Sequence, residues 1–221
     1  MAVMNDQGSV PVATVIGDVV SSRAAPDRAA LHDRLTSLLA EANGTLQPVV
    51  PLRVTVGDEY QGCFRTLGEA LHATLWLRLH LAPTGVRHGL GWGRVAVLED
   101  TPRVEDGPGW WAAREAIEAV KRDAHRSGSR LLRTAYHRTE SGAADAGPDP
   151  DPVNAALICR DQMVGSVSER SLRLLRGALA GRTQAELAEE EGISASAVSQ
   201  RMRNDGLAVI VAADELLRRV S

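Results

Sequence analysis

The sequence predicts an α+β protein in two parts: an antiparallel sheet with helices on one face, then a small all-helical domain. Three observations carry this. Strand and helix signals alternate from residue 10 to about residue 136. The stretch SGAADAGPDPDP at 141–152 is small, acidic and proline-rich, and cannot bury a core. Beyond it only helical patterns occur. The predicted parts are 1–140 for the sheet domain, 141–152 for a linker, and 153–221 for the helical domain. A chain of 221 residues suffices for one full domain and a small one.

Residues 10–20 form a β-branched run with Gly17-Asp18 near its end, and read as a buried strand with a polar terminus. Pro26 opens a helix to about residue 42, with Leu31, Leu35, Leu38 and Leu39 on one face and Asn43-Gly44 expected to stop it. Residues 52–64 read as two strands joined at Gly57-Asp58, residue types that tolerate a tight hairpin turn. A helix follows over 67–81, then a glycine-interrupted strand over 86–98, a helix over 110–124 and a last strand over 130–136. The tail carries helices over 153–164, 168–179 and 206–220, with two short helices between.

The hydrophobic share is 44%, the charged share 24% and the net charge -3, so any nucleic-acid contact must come from a local patch. Cys63 and Cys159 lie far apart in apolar segments and read as reduced thiols. The six histidines have no zinc-site spacing. No signal peptide opens the sequence and no apolar run approaches a membrane span, so a cytoplasmic protein without membrane contact is expected.

Two acidic sites stand out. Asp18 ends the first strand in IGDVVSS, and Asp58 and Glu59 sit at the hairpin in VTVGDEYQGCF. A β-α-β-β order brings the end of the first strand and the hairpin turn to one sheet edge. Carboxylates gathered there repel each other unless a divalent cation compensates, and Mg²⁺ or Mn²⁺ with phosphate oxygens suits such a site. Asp18 and Asp58 are the expected metal ligands. Ser21, Ser22, Glu59 and Arg114 are the expected ligand-binding residues, for a nucleotide or another phosphate-containing ligand. Each has a blander reading beside it: Asp58 as a turn residue, Glu59 as a solvated neighbour, Arg114 as a surface cation, Ser21 and Ser22 as helix caps.

GDVVSS followed by VTVGDEYQGCF resembles the paired metal-binding motifs of class III nucleotidyl cyclases, and GDEY resembles the GGDEF signature of diguanylate cyclases. RHGLGWGRV at 87–95 is similar to the cyclases' glycine-punctuated strand, and GWWAAR at 109–114 to the helix after it. Taken whole, the chain resembles the SatD family. The resemblance implies a ferredoxin-like, cyclase- or palm-like sheet. The cyclase motifs place a purine-reading lysine where this chain has Val54, and an asparagine where it has Trp110. The residues kept, Asp18, Asp58 and Arg114, imply metal and phosphate binding more than turnover.

QAELAEEEGISASAVSQRMR has the layout of a helix-turn-helix over 183–204. Ala188 sits where two helices cross, Gly192 makes the turn, and Ser194 caps the second helix. Ser194, Ser196, Ser199, Gln200 and Arg203 are of types that reach base edges and phosphates, and are the expected DNA-binding residues. The stretch also resembles the promoter-reading tail of sigma factors, although Glu186, Glu189, Glu190 and Glu191 make its first helix acidic. A plain helical hairpin for protein contacts is the competing reading. One such motif reads few base pairs, so a homodimer is expected. The resulting expectation is a DNA-binding transcriptional regulator with a nucleotide- or phosphate-sensing domain. The alternatives are a metal-dependent nucleotidyl cyclase-like enzyme with a helical assembly tail, and a non-catalytic scaffold.

Overall fold

Strand β1 (Val12–Val19) runs through the middle of a five-stranded sheet, which explains why its apolar run is nearly continuous instead of alternating. The computed structural model describes residues 10–20, 22, 26–101, 103–124, 126–139 and 146–221. After β1 come α1 (Arg28–Leu46), β2 (Val50–Val56), β3 (Glu59–Phe64), α2 (Leu67–Leu81) and β4 (Val86–Gly93). Next are β5 (Ala96–Asp100), β6 (Arg103–Asp106), α3 (Pro108–Asp123) and β7 (Thr134–Arg138). The tail holds α4 (Pro150–Ser166), α5 (Glu169–Leu179), α6 (Gln184–Glu191), α7 (Ala195–Asn204) and α8 (Leu207–Leu217).

The sheet order is β2-β3-β1-β4-β7. All neighbours are antiparallel except β4 and β7, which the α3 crossover makes parallel. The first six elements therefore form the expected ferredoxin-like unit.

Helices cover both faces of the sheet, not one. Alternation along β1 sends Ala13, Val15 and Val19 into a core with Leu35, Leu39, Leu71 and Leu77 of α1 and α2. It sends Ile16 to the opposite face, where Ala113 and Ile117 of α3 pack. The glycines of β4 serve that second face: a Cβ on Gly89 would lie 2.2 Å from the Ala113 carbonyl oxygen, so the helix rests directly on the strand backbone.

Four boundaries depart from expectation. Helix α1 runs past Asn43-Gly44 to Leu46 and ends at Gln47, in the left-handed region at φ 51°. Asn43 does not stop the helix because its side chain is engaged elsewhere, with the backbone of Leu52 on β2. The strand expected over 86–98 divides at Gly93, and its second half pairs with β6 in a separate two-stranded ribbon. The last strand begins at Thr134, later than expected. The final residues of the expected linker, Pro150 to Pro152, form the first turn of α4 under an Asp149 cap.

The helical tail shares its core with the sheet domain. Leu75 and Leu79 of α2 join Val164, Leu174, Leu187, Val198, Leu207 and Ile210 in one buried cluster. Buried polar contacts reinforce the junction. The Asp161 carboxylate of α4 accepts from Arg78 on α2 at 2.6 Å and from the amides of Arg133 and Thr134, each at 2.7 Å. Arg160 donates to the Leu71 carbonyl at 2.9 Å and to the Thr134 hydroxyl at 3.0 Å. His72 of α2 hydrogen-bonds Asp214 of α8 at 2.8 Å. The helical part expected over 153–221 therefore does not bury its core by itself: its apolar face closes on α2.

Candidate functional site

Asp18 follows Ile16 by two residues on β1, so its side chain lies on the α3 face, beyond the last apolar contact. Antiparallel register places Arg87 of β4 directly opposite, with its Nη1 3.6 Å from Asp18 Oδ1. Along α3, Ala113 and Ile117 face the sheet, and Lys121 is the next residue on that stripe. Its Nζ lies 3.2 Å from Asp18 Oδ2 and 3.0 Å from Glu118. The Asp18 side chain is only 14% exposed, and its Oδ1 is buried without a hydrogen-bond partner. Partial burial works against the Lys121 charge, but hydrogen bonds to Glu118 and Asp18 outweigh it and hold the ammonium above its ordinary range.

The β2–β3 turn brings in the other acids. Gly57 takes φ 62°, and Asp58 beside it is half-buried. Asp18, Asp58 and Glu59 line one cleft of about 570 Å³ with Arg28, Arg87, Lys121 and Ser22. Three carboxylates therefore meet three cations, and the cleft is close to balanced in charge. Glu59 is further engaged by Arg114 of α3 through two bonds of 2.7 Å, and those hydrogen bonds hold the guanidinium above its usual range. Expected ligand residues Glu59 and Arg114 are thus each other's partners. Ser22 is buried at the cleft; Ser21 lies outside the described residues.

Behind the cleft, Tyr60 and His88 meet across Gly17, with the hydroxyl 2.6 Å from Nε2. Burial pushes the Tyr60 phenol up, and the Asp18 charge adds to this. Burial, with Arg160 and Arg78 nearby, pulls His88 down to about 3, so the ring is neutral.

The donor set fits a hard divalent cation: Asp18 presents an unpartnered oxygen, and Asp58 opens on the same cleft. Among the described residues no group of three or more His, Cys, Asp or Glu side chains gathers for a metal. Asp18 and Asp58 would therefore need phosphate or water oxygens to complete a shell. Val54 is apolar and packs against the core, and the indole N–H of Trp110 is buried, so neither presents a polar group at the cleft.

The sequence reading missed Arg28, Arg87 and Lys121. Arg87 was legible only through strand register. Lys121 carried a clear signal, because the 25 Lys and Arg residues comprise 24 arginines and this one lysine.

In the tail, α6 and α7 join through Gly192 at φ 61°, and the Ser194 hydroxyl accepts from the Ala197 amide at 3.2 Å. Ser196, Gln200 and Arg203 are exposed on α7, and Ser199 accepts from Arg203 at 3.1 Å. Arg173 and Arg182 are engaged by Glu191 and Glu190 of α6.

Residues 12–145 match the SatD family. The chain belongs to the SatD family. This SatD-family chain resembles several solved structures, each over about half its length. One is the monomeric guanylyl cyclase domain of the RhoGC fusion protein from the aquatic fungus Blastocladiella emersonii, at 17% identity, with 50% of this chain and 75% of that chain covered and a TM-score of 0.43. Another is the adenylyl cyclase CyaB from P. aeruginosa, at 15% identity, with 48% and 70% covered and a TM-score of 0.39. A third is the GGEEF domain of a diguanylate cyclase from Vibrio cholerae, at 12% identity, with 52% and 78% covered and a TM-score of 0.39. No curated protein matches the chain.

These findings correct the expectation of a DNA-binding transcriptional regulator. The solved structures that resemble this SatD-family chain are cyclase domains. Of the five residues expected to read DNA, Ser194 caps α7 and the other four lie on it, and the buried side of that helix, at Val198, joins the cluster shared with α2. Among the described residues no helix is long and apolar enough to cross a membrane.

Proposed function

We propose that the cleft between β1, the β2–β3 turn and α3 binds a nucleoside triphosphate with a divalent cation, and that the chain is a metal-dependent nucleotidyl cyclase-like enzyme. The observation that carries this is the meeting of Asp18 and Asp58 with Arg28, Arg87 and Lys121 around one cleft. Carboxylates alone would describe a cation site and arginines alone an anion site. Together they suit a metal-bridged polyphosphate.

Asp18 and Asp58 would hold Mg²⁺ or Mn²⁺, which when bound neutralises phosphate oxygens and polarises the phosphorus they surround. Arg28 and Arg87 orient the phosphates and offset the charge that accumulates on departing pyrophosphate. The buried Tyr60–His88 pair fixes the strand geometry from which Asp18 projects. With neither Val54 nor the buried Trp110 presenting a polar group at the cleft, binding energy is concentrated on the phosphates instead of the base. The helical tail, packed on α2, serves assembly of the fold.

Incubation with Mn²⁺ and ATP or GTP, with pyrophosphate release as the readout, tests the proposal. Release that is lost in Asp18→Asn and Asp58→Asn is the expected result. Nucleotide binding without pyrophosphate release would remove the enzymatic half of the reading. Absence of both nucleotide and metal binding would remove all of it.

A further inference from the structure

We propose that Lys121 is an internal counter-ion that competes with a divalent cation for Asp18, so that metal entry requires the ammonium to leave. The inference rests on the proposed metal-nucleotide cleft and adds its regulation.

Three observations lead to it. Lys121 Nζ lies 3.2 Å from Asp18 Oδ2, on the carboxylate that would hold the metal. The same ammonium has a second acceptor on its own helix, Glu118 at 3.0 Å, so release from Asp18 does not strand the charge. And 24 of the chain's 25 basic residues are arginine, yet this position is lysine. The chemical difference suits the role. A guanidinium forms a planar, bidentate and persistent pair, as Arg114 does with Glu59, whereas an ammonium is a compact, strongly hydrated point charge on a flexible stem. Lys121 lines the cleft and is one-third exposed, so its ammonium already borders solvent.

The other charges around the pair are Arg28 of α1, Asp58 and Glu59 of the β2–β3 hairpin, Arg87 of β4, and Arg114 and Glu118 of α3. Arg87 stands 3.6 Å from Asp18 on the opposite oxygen, while Arg114 is committed to Glu59. With Lys121 withdrawn, Asp18 keeps one ion pair, to Arg87, and no hydrogen bond to a cation, a stronger ligand than the doubly paired carboxylate. With Lys121 in place, an arriving cation meets like charge.

The test is a titration of the full chain with Mn²⁺ alone, free Mn²⁺ being followed by electron paramagnetic resonance. Lys121→Met is expected to bind Mn²⁺ about three- to tenfold more tightly than wild type, the scale of a partly exposed ion pair. Asp18→Asn is expected to lose the site in both backgrounds. Because the chain has one lysine, [¹⁵N]lysine labelling yields one side-chain ammonium resonance, which should shift with Mg²⁺ at the midpoint of metal binding. Equal Mn²⁺ affinity in wild type and Lys121→Met, or an ammonium signal that stays put while metal binds, would overturn the competition and leave the metal site standing. If neither protein binds Mn²⁺, the metal reading falls and the competition with it. A thermal melt of Lys121→Met matching wild type shows that the substitution reports on the site and not on folding.

Discussion

At Gly17 the Tyr60 hydroxyl and the His88 ring meet over a position with no side chain, and a Cβ there would lie 2.3 Å from the Tyr60 ring. The ring cannot retreat, being fully buried and hydrogen-bonded to His88. Gly17→Ala is therefore expected to cost about 1–3 kcal/mol or more, the scale of overpacking a closed core. Urea unfolding measures it, and Tyr60→Leu in the same chain should recover part of the loss. His88 adds a pH dependence. Its folded value, about 3, lies below the ordinary value of about 6.5. Between the two the unfolded chain takes up a proton that the folded chain refuses. The contribution is whole above about 6.5 and is lost as pH falls toward 3, at up to about 1.4 kcal/mol per pH unit. His88→Gln should flatten urea midpoints over that window; an unchanged pH slope would contradict a buried neutral ring.

Asn43 shows how an element can be misread one residue at a time. In sequence, Asn43-Gly44 has the look of a helix stop. In the fold, the Asn43 amide donates to the Leu52 carbonyl at 2.9 Å and its oxygen accepts from the Leu52 amide at 2.7 Å. The side chain thus occupies the outward backbone groups of β2, the sheet's edge strand, and Pro51 beside it has no N–H to offer. Asn43→Ala is expected to cost about 1–3 kcal/mol from two unpaired backbone groups, and to raise the tendency to self-associate, which light scattering during refolding would detect. The β2–β3 hairpin and α2 were legible because their signals are local: a turn that wants Gly57, and an apolar run with a Thr66 cap. The β5–β6 ribbon was not, because residues 96–106 carry a strand pattern too short to separate from β4. The same distinction governs the site. Asp18 and Asp58 sit on local motifs and were found, whereas Arg87 depends on register and Lys121 on the pitch of α3 against the sheet.

Helix α2 decides the organisation of the whole molecule. Its sequence, LGEALHATLWLRLHL, is apolar on nearly every side, and eleven of its fifteen residues are buried. A helix that is apolar all round has to be covered all round. One side faces the sheet with Leu71 and Leu77, and the other holds Leu75 and Leu79 against α4, α5, α6, α7 and α8. That pattern was in the sequence, but the acidic, proline-rich stretch at 141–152 drew a boundary where α2 closes one. The expected consequence is cooperative unfolding. All four tryptophans, Trp76, Trp92, Trp110 and Trp111, lie ahead of the tail, so their fluorescence reports the sheet unit, while ellipticity at 222 nm reports every helix. Leu174 is fully buried in the tail's core. Leu174→Ala is expected to cost about 2–5 kcal/mol, as for other buried leucines. Because the core is shared, the tryptophan transition should move with the 222 nm transition by the same amount, although no tryptophan is near the substitution in sequence. A tail that folded by itself would give two transitions, with the tryptophan midpoint left where it is in wild type.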